Sequence, residues 1–412
     1  MFSRLKNLFA IKGYRLFVIC MLLVGIGISI TQPYLSLYFT EDFGMSAGAF
    51  GVFMAISSLS GVVVNSLIAK HSDTGLDRKW LIILAMLSSA LGYASYLVFH
   101  NFYILLIVVS LFNGIGAAAM PQIYASAQES ANESNSDDKT FAMSTLRSLV
   151  SLGFLIGPLG GTLILGVLGY KGLFLGTSAI YLIIASLVIL FLQKRKTVQK
   201  GKKRTSADSA SLKNKQIMQP LIAFIFLFAV NAINGINTPL FIVNELHGTH
   251  TEVGLVVSIS AGLEIPIMIV LGALSKKISN HSLMMSGCFI SVMYYIILSV
   301  STASWQLVVA QLLQAIAVAI LMGNGLSYFT DLLPHSLGLS TTIYSNGSTI
   351  GRLIGNLGGG VIAQFAGYRN VYFVCQFFVI FAFFILWKTR THKEKEKENK
   401  EFEIRKDVSY RS

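Results

Sequence analysis

Charge is the scarcest ingredient of this sequence. Only 12% of its 412 residues are Asp, Glu, Lys or Arg, against about 25% in soluble domains, so a globular core under a charged surface is excluded. Histidine is absent from every long apolar run. No HExxH, nucleophile elbow or paired-Asp constellation occurs, which argues against an embedded enzyme. Cys20, Cys288 and Cys375 stand apart within apolar runs, at neither disulfide nor metal spacing. They read as packing residues, and no metal or cofactor is expected. The ten-residue alternation of a transmembrane barrel is missing too.

Hydrophobic residues make up 54% of the chain, and the mean hydropathy is +0.66. A helix needs about 20 apolar residues to cross a bilayer. Twelve such runs are predicted, at residues 16–39, 49–69, 80–99, 103–127, 141–165, 173–192, 217–243, 253–274, 283–300, 305–329, 341–365 and 371–387. The first is too long for a signal-peptide core and lacks a small-residue cleavage site, so it is expected to remain. The expected fold is an all-α integral membrane protein.

Lys and Arg set the orientation. With the N-terminus inside, 28 of them fall on the cytoplasmic side and only Lys171 and Arg369 outside. Both termini are therefore expected in the cytoplasm, with the chain multi-pass in a bacterial plasma membrane. The +13 net charge then reports topology and contact with anionic lipid, with no nucleic-acid partner expected. The outer loops are too short for a ligand domain, which argues against a sensor.

The chain reads as two halves. Residues 1–193 form an N-terminal six-helix bundle, 194–216 a polar, basic and Ser-rich cytoplasmic linker, 217–390 a C-terminal bundle, and 391–412 a mixed-charge tail. "GFLIGPLGG" (153–161) matches "GRLIGNLGG" (351–359) at seven of nine positions, 198 residues apart, and Pro33 and Pro239 recur near the outer ends of runs one and seven. Glycine rows let helices pack closely, and a rocking interface needs the same property. Since one chain holds both halves, a monomer is expected to function.

These features resemble the major facilitator superfamily, whose two pseudo-symmetric six-helix bundles give alternating access. The loop "AKHSDTGLDRKW" is similar to its Asp-Gly-Arg/Lys motif, with Leu76 where a glycine is common. The resemblance gives Asp73 and Arg78 a role in conformational gating. Gly153, Gly157, Pro158 and Gly161 resemble the motif of proton-driven antiporters, with Thr162 in place of a last glycine, and Gly157 and Pro158 join the gating set.

Strongly polar side chains inside the runs concentrate in one, two, four, five, seven, eight, ten and eleven: Gln32, Asn65, Asn113, Gln122, Arg147, Asn231, Asn234, Asn237, Glu264, Gln311, Gln314, Asn324, Asn346, Arg352 and Asn356. Asn231, Asn234 and Thr238 recur at i, i+3 and i+7, on one helix face. Neutral amides suit a hydroxyl-rich ligand; the competing reading is amide bonding between helices, worth about 0.6 kcal/mol per contact. Glu264, Arg147 and Arg352 are the full charges that read as deep. Mid-bilayer placement costs about 2.5–3.5 kcal/mol, so each must face a cavity or a partner. Glu264 either couples protons, paired in turn with Arg147 or Arg352, or binds substrate and holds the bundles together.

"PQIYASAQE" (121–129), "TPLFIVNELH" (238–247), "AGLEIPIM" (261–268), "YFTDLLP" (328–334) and "TTIYSNGS" (341–348) resemble the bacterial sugar efflux transporters of that superfamily. The resemblance implies proton-linked export of small sugars, glucosides or sugar analogues. It gives Asn231, Asn234, Glu264, Gln314, Asn324, Tyr344 and Asn346 as substrate contacts, to which the polar pattern adds Gln32 and Asn113. Arg352 stands where the family leads one to expect an aromatic residue, and run four lacks the Arg common in proton-coupled relatives. The alternative is a proton-coupled exporter of hydrophobic drugs.

Overall fold

The computed structural model describes residues 8, 13–72, 77–134, 139–192, 215–274, 278–333 and 337–389. Asp73, linker residues 194–214 and the tail lie outside the described residues, while residues 215 and 216 of the expected linker already belong to the first helix of the second half. Among the described residues every regular element is helical. The first half comprises α1 (Tyr14–Ser29), α2 (Gln32–Leu37), α3 (Ala47–Ser72), α4 (Arg78–Val98), α5 (Phe102–Gly116), α6 (Ala119–Glu133) and α7 (Lys139–Phe191). The second comprises α8 (Lys215–Asn244), α9 (His250–Leu274), α10 (Asn280–Val300), α11 (Ser304–Val318), α12 (Gly325–Leu332), α13 (Leu337–Ala366) and α14 (Asn370–Trp387). Single π-helical turns, Tyr38–Asp42 and Ala319–Gly323, continue α2 and α11.

Ten of these stretches are long and apolar enough to cross a membrane, against the twelve runs expected. Two features account for the difference. The 50-residue stretch Ala142–Phe191 doubles back at Gly169, whose φ of 64° and ψ of −168° no helix holds and glycine takes without a Cβ clash. Helix α13 is 30 residues long, but Asn346, Arg352, Asn356 and Gln364 make it less apolar than the ten.

Helix starts follow local chemistry. Asp77 accepts from the Lys79 N–H at the start of α4, Asn101 from Tyr103 and Ile104 at α5, and Ser279 from Ser282 at α10. Each satisfies amides that the first turn leaves unpaired.

The two glycine rows pack inside their own halves. Gly153, Gly157 and Gly161 sit against Gly25 and Ser29 of α1 and Ile30 just beyond it, and the Ser29 hydroxyl donates to the Gly153 carbonyl at 2.9 Å. Gly351, Gly355 and Gly359 meet Ile225, Ala229 and Ile233 of α8 in the same way. Gly157 thus joins neighbouring helices of one bundle.

Between the halves, α3 packs on α13 and α9 on the first part of α7. The two contacts repeat each other. A Cβ on Gly51 would come 2.5 Å from the Asn356 carbonyl, and one on Gly254 3.1 Å from the Pro158 carbonyl. Gly51 and Gly254 are 203 residues apart, and Pro158 and Asn356 198 apart.

One apolar cluster lies within the first half and includes Tyr14, Phe17, Ala142 and Leu192. The other runs through the second half and crosses into Tyr34, Tyr38, Phe39, Phe50 and Phe53. The halves are therefore sealed together at the end remote from Tyr14 and Thr389, called the far end below.

Candidate functional site

A cavity of about 610 Å³ lies between the halves. Its two walls differ. The first half contributes Gln32, Ser36, Ser58 and Ser151 among Phe50, Met54, Val150 and Phe154. The second contributes Asn231, Asn234 and Thr238 from α8, Ser260 and Glu264 from α9, Tyr294 from α10, Gln311 and Gln314 from α11, and Arg352 and Asn356 from α13. Amide and charged groups are therefore concentrated on one side.

The spacing of Asn231, Asn234 and Thr238 delivers all three to the cavity, as one helix face must. Within that face the hydrogen bonds are ordered. Thr238 donates to Asn234 Oδ1 at 3.0 Å, and the Tyr294 hydroxyl reaches the same oxygen at 3.4 Å. The Asn234 oxygen is thereby occupied, and its NH2 group remains to donate. Pro239 has no N–H to give the Gly235 carbonyl, and Gly235 is an exposed lining residue. The side chains of Asn231, Gln314, Gln32 and Arg352 form no hydrogen bond with another described residue.

Glu264 has the Ser260 hydroxyl as its neighbour one turn earlier. Among the described residues no ion pair joins it to Arg147 or Arg352. Arg352 is more than one-third accessible although it lies mid-helix, because it borders the cavity. Arg147 lies outside the cavity lining, exposed, with its guanidinium 6.0 Å from the centre of the Tyr124 ring.

Gln32, Asn231, Asn234, Glu264, Gln314 and Arg352 are thus brought together. Other sequence candidates lie elsewhere. Asn113 donates to Ser57 at 3.3 Å within the first half. Tyr344 gives its hydroxyl to the Met322 carbonyl at 2.6 Å and sits among Phe224, Phe228 and Phe329. Asn346 is exposed, outside the cavity lining.

Asn324 belongs to a cluster with a twin in the other half. Arg78 donates to Glu129 at 2.8 Å and to Gln122 at 3.0 Å. In the second half Asn280 donates to Asp331 at 2.7 Å, and Asn324 to Asn280 at 2.6 Å. Each of the three positions recurs after 202 residues. Pro158 meets the other half at Gly254, and its carbonyl accepts from the Tyr34 hydroxyl at 2.7 Å.

Tyr294 is the lining residue that the sequence pattern passed over. It lies in the apolar run 283–300, which carries none of the strongly polar side chains, and there a tyrosine looks like any packing aromatic.

Residues 17–298 and 220–410 match the sequence pattern of the Major Facilitator Superfamily. Sugar efflux transporter A of Dickeya chrysanthemi is 30% identical over 375 residues, which are 91% of this chain and 95% of that protein. The multi-drug resistance efflux pump PmrA of Streptococcus pneumoniae is 25% identical over 87% of this chain and 91% of its own. The crystal structure of nucleoside transporter NupG superposes with a TM-score of 0.75 at 14% identity, covering 92% of this chain and 98% of that one. That last likeness is one of fold alone.

Proposed function

The chain belongs to the sugar efflux transporters of the major facilitator superfamily, and from that premise we propose that it exports small sugars, glucosides or sugar analogues from the cytoplasm by proton antiport. Membership makes it a membrane-embedded secondary transporter, not an enzyme. The observation that carries the finer reading is the convergence of Asn231, Asn234, Gln314, Gln32, Glu264 and Arg352 on one cavity between the halves. Their free donors and acceptors suit hydroxyl groups. A purely apolar drug would leave them desolvated and unpaired, at about 1–3 kcal/mol for each buried group.

The 28 basic residues on the side of the termini support a cytoplasmic location for both ends. With that orientation, the sealed far end makes this an inward-facing state of a bacterial plasma-membrane protein. Residues 1–193 and 217–390 are the two rocking bundles, joined by 194–216, and one chain suffices. Glu264 is the proposed proton carrier. In this state it is paired with neither arginine. Arg352 lines the same cavity within the same half, so it reaches Glu264 only by a rearrangement inside that bundle. Arg147, set against Tyr124, belongs to the other half and is the partner whose distance changes when the bundles rock.

The test is transport into inverted vesicles of labelled glucose, lactose and a lipophilic dye, with and without a pH gradient. Sugar accumulation that requires the gradient is expected. Dye movement without sugar movement replaces this reading with the multidrug one, which the 25% identity to a multidrug pump keeps in view.

A further inference from the structure

Three side chains close the far end without contributing to the cavity. Glu41, on the π-helical turn after α2, places Oε2 3.3 Å from His250 Nε2, an ion pair when the imidazole is protonated. Tyr170, the residue after the Gly169 break, reaches Glu41 at 3.3 Å and His250 at 3.4 Å. Glu41 and Tyr170 belong to the first half, while His250 opens α9 of the second. Any motion that opens the far end must pull this cluster apart.

We propose that Glu41, His250 and Tyr170 form a proton-sensitive latch that acid on the far side fastens. Histidine is the side chain whose ordinary titration falls between pH 5 and 8. Two influences act on the imidazole. As the first residue of α9 it sits at the positive end of a helix, which disfavours its proton. The Glu41 carboxylate favours the proton while the halves are closed. When they part, the helix end stays and the carboxylate leaves. The closed state therefore binds the proton more tightly, and by linkage the proton favours the closed state. The contribution is present while the imidazole carries its proton and absent once it has lost it.

The other charged groups nearby do not reverse this sign. Asp42 neighbours Glu41 and acts with it on Tyr170. Glu252 is occupied by the N–H and hydroxyl of Thr249. Lys171 is exposed, and Tyr34 is turned toward Pro158 and Thr162. His247 lies on the same side as His250 and moves with it.

The latch rests on the orientation proposed above. The proton involved reaches His250 from the far side and returns there, so it biases the cycle without crossing. Acid outside would hold the transporter with its cavity toward the cytoplasm, ready to load.

Ala363, buried at the far end beside Glu41, Gln364 and Tyr368, is a suitable reporter because the three native cysteines are buried. An Ala363→Cys protein in sugar-free proteoliposomes is labelled with a membrane-impermeant thiol reagent from the far side. Rates are normalised to the same thiol in unfolded protein. Labelling is expected to slow by about two- to fivefold from about pH 8 to about pH 5.5, the shift a partly exposed ion pair can supply. The slope should vanish in His250→Gln and in Glu41→Gln. A flat parent protein overturns the latch, as does a slope that survives in either variant. Sugar transport can fail while the latch holds, since no sugar is present.

Discussion

The Thr238 hydroxyl points its hydrogen at Asn234 Oδ1 across 3.0 Å, one helical turn apart and inside the central cavity. That bond fixes which end of the amide faces a ligand. Thr238→Val should free the amide to rotate and raise the sugar concentration for half-maximal transport by about two- to tenfold, the equivalent of about 0.5–1.5 kcal/mol. Thr238→Ser should stay near the parent value. Concentration dependence of sugar uptake into inverted vesicles measures both.

Glu264→Gln keeps the shape and removes the charge. Accumulation against a gradient should be lost, while exchange of sugar across the membrane without a gradient should persist within about twofold, because coupling and binding are separable free energies. Uphill uptake and counterflow, measured on one vesicle preparation, decide it. Retained uphill transport would remove Glu264 from the coupling step.

Gly51 meets the carbonyl of Asn356 where the two halves touch, and a Cβ there would lie 2.5 Å from that oxygen. Gly51→Val should prevent full closure of the far end. Overpacking of about 1–3 kcal/mol corresponds to a shift of about 5- to 150-fold between closed and open populations. Far-side labelling of the Ala363→Cys reporter should speed up accordingly, with sugar binding from the terminal side weakened.

Arg78 holds Glu129 and Gln122 together. Arg78→Ala leaves a partly buried carboxylate without its partner and should destabilise the protein by about 1–3 kcal/mol, read as a lower unfolding temperature in detergent. The second half builds the matching cluster from Asn280, Asp331 and Asn324. Grafting it, as Arg78→Asn with Glu129→Asp and Gln122→Asn, should recover more stability than Arg78→Ala alone.

Much of this architecture was legible because membranes write it in bulk composition. Runs of apolar residues, the repeat around Gly153 and Gly351, and the cost of burying Glu264 or Arg352 are all visible one residue at a time. The run at 341–365 also marks α13, although four strongly polar side chains dilute that full-length helix. Cavity membership was harder. Asn231 and Asn113 are the same residue type in similar surroundings, yet Asn113 gives its amide to Ser57 while Asn231 keeps its own free. Asn324 and Tyr344 were drawn into partnerships with Asn280 and Met322 that no spacing rule announces. Which local acceptor captures an amide depends on how helices from distant parts of the chain come to rest. The sequence holds that only implicitly.

The lopsided walls of the cavity have a consequence for how cargo is carried. A ligand gripped by α8, α9, α11 and α13 rides with the second half when the bundles swing, while the smoother first half slides past it like a shutter. Recognition and motion are then assigned to different parts of one chain, so evolution can retune the grip without rebuilding the shutter. A chimaera that takes only its second half from a relative should inherit the relative's taste in sugars.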